Sequence, residues 1–277
     1  MNVDGLDVYH FVAKIERADV SLCDFDIGEW FWPRLRAAFP LALASSLVPD
    51  HPHVVTPSQD PEAARMRLNR LLGHLARHVG VRYVGEAAAP TRIADRSKLL
   101  RDLRYVDLNA PRERLADDPL SWWFSTHRDV VGATMDPWVD APRLARALGR
   151  PLAGFVEWYH RYVSSDPSVR VTGTPLPVPT LPTEIPRFAL TSIARAAAAA
   201  TRTRPDAIRQ TSVTRHVFVA LAREQGWRSW DALALACRCS TRAVRRSAEH
   251  TIDLSAARLC LGDARLLRAV PAWRNAA

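Results

Sequence analysis

Two short stretches hold residue types that can do chemistry together. In Val48-Pro49-Asp50-His51-Pro52-His53-Val54-Val55 two imidazoles are separated by a single residue. The stretch reads as a strand, in which side chains at i and i+2 point the same way, so His51 and His53 share a face. Further on, Leu99-Leu100-Arg101-Asp102-Leu103-Arg104-Tyr105-Val106-Asp107-Leu108-Asn109 reads as a helix. Tyr105 and Asn109, at i and i+4, are neighbours on one face of it. Two imidazoles, an amide oxygen and a phenol brought together make a divalent-metal site beside a tyrosine nucleophile. That set suits breaking a phosphodiester by covalent attack.

The elements that must position these groups alternate. Val8–Ile15 reads as a strand. Asp24-Phe25-Asp26 offers an N-cap for a helix over Glu29–Phe39, closed by Pro40. Leu41–Thr56 holds the His-x-His strand, and Asp60-Pro61-Glu62 starts a helix over Ala63–Val79 with proline in its first turn. Val81–Val84 reads as a short strand and Ser97–Asn109 as the tyrosine helix. The alternation predicts an α+β, ferredoxin-like antiparallel sheet with helices on one face. Two more helices are expected, one capped at Asp140-Ala141-Pro142-Arg143 and one over Gly154–Val163.

Charge divides the chain. From Arg187 onward there are 16 arginines and 6 acidic residues, a net +10, while the 22 basic and 23 acidic residues upstream leave −1 of the total +9. All basic residues but Lys14 and Lys98 are arginine, which suits bidentate phosphate and base contacts. A compact basic region is the footprint of a polyanion binder. Gly173–Pro186 (GTPLPVPTLPTEIP) reads as a semi-rigid linker. The expected domains are therefore 1–166, a Pro-rich linker 167–187, and a small all-α basic domain 188–277. In the last, Trp230–Cys237 and Ser240–Ala248 form a helix-turn-helix pattern. Ala234 sits at the crossing, Val244 packs inward, and Thr241, Arg242, Arg245 and Arg246 face DNA. Arg238 stands where glycine is usual in the turn.

Other classes are disfavoured. No apolar run approaches the ~18–20 residues of a membrane span, and the first residues lack the basic-then-apolar order of a signal peptide. A cytoplasmic protein with no membrane partner is expected. Cys237-Arg238-Cys239 lacks a C-x-x-C partner pair, so buried thiols are expected rather than zinc.

Four blocks, in order, resemble the REP-associated single-tyrosine HUH transposase family. They are Val48–Val55, Arg70–Arg77 (RLLGHLAR), Leu100–Leu115 (LRDLRYVDLNAPRERL) and Leu120–Arg128 (LSWWFSTHR), with Tyr9-His10-Phe11-Val12 fitting the family's start. The resemblance spans about residues 8 to 140. It implies an HUH fold in which Tyr105 attacks single-stranded or hairpin DNA, leaving a 5′-phosphotyrosine and a free 3′-hydroxyl. It also implies that His51, His53 and Asn109 hold Mg²⁺ or Mn²⁺, and that a homodimer can exchange the tyrosine helix. A phenol with pKa about 10 needs such help near neutral pH. The chain departs from the family at Pro52, where valine or isoleucine is usual, and in Val81–Pro90 and Ala13–Arg17, where the family's basic DNA-contacting segments are missing. These departures keep a second function in view, a catalytically degenerate, domesticated transposase acting as a sequence-specific DNA-binding protein.

Overall fold

The computed structural model describes residues 1–171, 173 and 175–270. The chain divides into two compact units, Met1–Val130 with Trp138–Thr174, and Val131–Pro137 with Pro175–Ala277.

The first unit is built on one antiparallel sheet. Its strands are β1 (Asn2–Val3), β2 (Leu6–Ile15), β3 (Ala44–Val48), β4 (His51–Ser58), β5 (Gly85–Ala87) and β6 (Thr91–Arg92). β3 and β4 form a hairpin around Pro49-Asp50, β4 pairs with β2, and β1, β5 and β6 line the other edge of β2. The order β5-β2-β4-β3 is interleaved with two helices, α1 (Phe25–Ala38) and α2 (Pro61–His78). Asp24 caps α1 by accepting from the backbone of Asp26 and Ile27. Asp60 caps α2 through the backbone N–H of Ala63, with Pro61 in the first turn. Instead of a strand over Val81–Val84, the short strands begin at Gly85, whose φ of 152° brings its backbone against Lys14 with no room for a Cβ.

Helices cover both faces of the sheet, not one. On one face Val8 and Val55 join Leu99, Leu103 and Val106 of α3 (Arg96–Asp107) in a single core. After α4 (Asn109–Arg112) and α5 (His127–Val130), α6 (Ala141–Leu148) and α7 (Phe155–Ser164) extend that core. On the opposite face Phe11 packs its ring 5.6 Å from Phe39, at the end of α1, and Arg67 of α2 reaches over Phe39. The cause is legible in the strands: β2 and β4 carry apolar residues at both parities, Val8 and Val55 against Phe11 and Val54, and all four are buried. A sheet with two greasy faces must be covered twice.

The second unit is helical, with α8 (Leu190–Thr201), α9 (Val213–Glu224), α10 (Trp230–Cys237), α11 (Thr241–Ala248), α12 (Ser255–Gly262) and α13 (Ala264–Arg268). Ala196–Ala200 of α8 are all buried, and these small side chains let α9 and α12 approach closely. From Pro175 onward the Pro-rich stretch is not a free linker but part of this unit. Thr180 and Thr183 donate backbone bonds to Arg258 and Glu224 at 3.1 and 3.0 Å, and Gln225 donates to Leu181. Val131–Pro137 also belongs here, since Met135 donates to Ala200 and the Cys260 thiol to Ala133. Thr172, Thr174 and residues 271–277, which the expected linker and basic domain include, lie outside the described residues. No described helix is long and apolar enough to cross a membrane.

Candidate active site

Strand register assembles the site. Val48 pairs with His51, Ser46 with His53, Val12 with His53 and His10 with Val55. Paired residues share a face in an antiparallel ladder, so His10, His51 and His53 all point toward α3. The His51 and His53 rings lie 4.6 Å apart, edge to face. Pro52 points the other way, at the second position of β4, where it pairs with Leu47 near the end of the hairpin.

His53 is the centre of the cluster. It is 3% exposed, its Nδ1 lies 3.0 Å from His10 Nε2, and its Nε2 is buried with no hydrogen-bond partner. Burial, reinforced by the neighbouring His10 and His51, pushes its pKa down to about 2. His10 is pushed down to about 4, chiefly by burial, with the Asp102 carboxylate opposing and Lys98 and His51 adding to the shift. Both rings are neutral near pH 7. His51 is more open and bonds Asp50 through Nδ1 at 2.6 Å.

α3 is capped by Asp95, which accepts from Lys98 N–H, and it buries Leu99, Asp102, Leu103 and Val106 against the sheet. Tyr105 flanks that buried stripe, 40% exposed, its ring 5.6 Å from His53 and 6.4 Å from His10. Asp102, one turn before Tyr105, pairs with Lys98 and leaves its other oxygen buried without a partner.

The tyrosine helix stops two residues short of its expected end. Leu108 breaks it, and Asn109 begins the separate turn α4. Pro111 has no N–H with which to continue the ladder onto the Asp107 carbonyl. Asn109 is 1% exposed with its amide nitrogen buried and unpaired. Arg112 folds back from α4, donating to the Tyr105 carbonyl at 3.3 Å while its guanidinium lies 4.9 Å from the Tyr105 ring. Asp166 holds Arg112 at 3.2 Å and Arg104 at 3.0 Å.

The structure thus brings His51, His53 and Tyr105 together, and sets Asn109 on the turn after the break. It adds His10, Asp102 and Arg112 to the neighbourhood. His10 is findable only by combining strand alternation with the β2–β4 register, which links residues 43 apart. Among the described residues no group of three or more His, Cys, Asp or Glu side chains gathers to hold a metal.

In the second unit, Ser240 caps α11 by accepting from Ala243 N–H, and Arg238 takes the left-handed conformation between α10 and α11, φ 50° and ψ 45°. Ala234 and Val244 are buried. Thr241, Arg242, Arg245 and Arg246 line an open recess with Glu249, and the three arginines are exposed.

No family model matches the chain, and no curated protein matches it. Among solved structures it is similar to a REP-associated tyrosine transposase bound to a REP hairpin, at 13% identity and a TM-score of 0.38 over 48% of this chain and 83% of that one. A likeness of that degree leaves the reading to this chain's own residues.

Proposed function

We propose that this chain is a transposase-like DNA strand transferase of the single-tyrosine HUH type, acting on single-stranded or hairpin DNA. The observation that carries the reading is a half-exposed Tyr105 ring standing edge-on to the buried, neutral His53. A nucleophile for a polymer backbone must be open on one side and held on the other. Tyr105 is held by His53, His10 and Arg112. Its oxygen attacks a backbone phosphorus and the bond to the 3′ oxygen breaks. The phenol gives up its proton, and the leaving oxygen takes one to become a 3′-hydroxyl. The phosphotyrosine keeps the bond energy, so the reverse attack rejoins the strand. Arg112 places positive charge beside the phenol, where phosphate charge must be met.

The imidazoles fit a divalent cation, Mg²⁺ or Mn²⁺. The unpartnered His53 Nε2 and the adjoining His51 ring would hold it, and Asn109 remains the candidate third ligand through its amide oxygen. When bound, the ion would polarise the phosphoryl oxygen and the leaving group. The β5-β2-β4-β3 order around α1 and α2 supports a ferredoxin-like HUH domain. The capped α11 with its outward arginines supports a helix-turn-helix.

The test is an adduct assay. Labelled hairpins and single strands drawn from genomic repeats are incubated with Mg²⁺, Mn²⁺ or chelator, then resolved under denaturing conditions. A denaturant-stable protein–DNA band with a free 3′-hydroxyl on the other fragment is expected. The exposed arginines of α11 favour a second reading, a degenerate, domesticated transposase that binds a specific DNA sequence. Retarded but uncut DNA under every metal condition would establish it.

A further inference from the structure

We propose that His10 is a positioning residue that holds His53 in one tautomer, with Nδ1 protonated and Nε2 carrying a free lone pair. The cation-facing consequence rests on the metal reading above; the tautomer itself does not. His10 stands on β2 two residues from Val12, the partner of His53, and so on the same face of the sheet, and its Nε2 lies 3.0 Å from His53 Nδ1. That contact is a hydrogen bond in which one ring donates and the other accepts. The two directions have different consequences at the far side of His53. Were His10 the donor, His53 would carry its proton on Nε2, which is buried without any acceptor. A buried N–H with no partner is the rarer and costlier defect, whereas an unfilled acceptor is tolerated. The buried surroundings therefore select donation from His53 Nδ1–H to His10 Nε2. They leave the His53 Nε2 lone pair free, in a ring whose centroid lies 4.6 Å from that of His51.

Metal-ligating histidines commonly bond a carboxylate or carbonyl through the second nitrogen, which sets tautomer and ring orientation. Here a third histidine on the neighbouring strand takes that place. The Tyr105 ring closes a triangle with the His10 and His53 rings, 6.4 Å from the first and 5.6 Å from the second, and His10 feels the Asp102 carboxylate on α3.

The experiment is a long-range ¹H–¹⁵N imidazole spectrum of the full-length, metal-free protein. It is recorded on the wild type, His10→Phe and His10→Gln. The His53 Nε2 resonance should be that of an unprotonated nitrogen in the wild type. Glutamine offers an amide oxygen where the His10 Nε2 stood and should preserve that state. Phenylalanine keeps the ring packing but removes the acceptor, and should shift His53 toward Nε2–H or a mixture. A protonated His53 Nε2 in the wild type, or a tautomer unmoved by His10→Phe, overturns the proposal. Mn²⁺ titration followed by electron paramagnetic resonance then separates the two ideas. His10→Phe should weaken Mn²⁺ binding roughly 10–100-fold, with His10→Gln near wild type. Equal Mn²⁺ affinity in all three proteins overturns the cation-facing consequence of the tautomer and leaves the metal reading standing. A wild type with the expected, His10-sensitive tautomer but no Mn²⁺ binding sinks the metal reading and keeps His10 as the residue that sets the His53 proton.

Discussion

The tyrosine site and the α11 arginine face would meet the same polymer by opposite physics. At Tyr105 the facing imidazoles are enclosed and neutral, with a single guanidinium, that of Arg112, over the ring: His53 is 3% exposed, and His10 and His53 are stripped of charge chiefly by burial. On α11 the groups are charged and open, Arg242, Arg245 and Arg246 around a shallow recess. The first kind of site depends on position, since a displaced ring or a missing oxygen ends its chemistry. The second depends on accumulated Coulomb attraction, in which any one residue contributes a share and salt erodes the whole.

The sharpest way to break the contrast is Tyr105→Phe. It keeps the ring against His53 and removes only the oxygen, so adduct formation should fall below detection while DNA binding persists. Adduct of undiminished yield on denaturing gels would end the role assigned to Tyr105. The enclosed site should also be sensitive from behind. Leu103, fully buried on the sheet-facing side of α3, packs with Val106 and Val55, and Leu103→Ala should cost about 2–5 kcal/mol. Urea denaturation of wild type and variant gives the value, and a loss below about 1 kcal/mol would mean α3 is not anchored as described.

The arginine face should respond by degrees. In a Tyr105→Phe background, which prevents covalent capture, Arg245→Ala with Arg246→Ala should lower the slope of log affinity against log salt. The slope should fall by about 0.7–0.9 for each phosphate that the protein no longer neutralises. An unchanged slope would make these arginines a solvated face. The smallest effect concerns acid. His216 of α9 stacks on His250 at 3.9 Å, and its pKa is lowered, first by burial and then by the charges of His250 and Arg215. The unfolded chain therefore takes up this proton near pH 6.5, before the folded one does. The contribution to stability is full above that value and declines as pH falls through it. Thermal melts at pH 7.5 and pH 5.5 should show a larger acid-induced drop for wild type than for His216→Gln. Equal drops would remove His216 from the account.

The sequence is legible where local physics decides. Asp24, Asp60 and Ser240 cap the helices they precede. The i, i+2 spacing puts His51 and His53 on one face, and the boundaries of α10 and α11 follow from their pattern. What the sequence hides is set at a distance or by a single breaking residue. His10 joins the site only through the β2–β4 register. The same-face pairing of Tyr105 with Asn109 assumes an unbroken helix, and Pro111 ends it at Asp107. Arg112, one residue within a longer motif, becomes a neighbour of Tyr105 because the broken helix turns back. The Pro-rich stretch resembles a spacer because proline carries no donor. Its threonines and carbonyls supply the bonds instead.

The second unit is also discontinuous in sequence, and this sets a timetable. Ala133 and Cys260, which meet through the thiol, are 127 positions apart. At ~5–20 residues per second on the ribosome, Ala133 waits roughly 6–25 s for its partner to be made. The unit bearing Tyr105 is fully synthesised by Thr174. It can finish folding while the arginine-bearing half is still emerging, and during that interval Val131–Pro137 is a piece of unfinished business held in reserve.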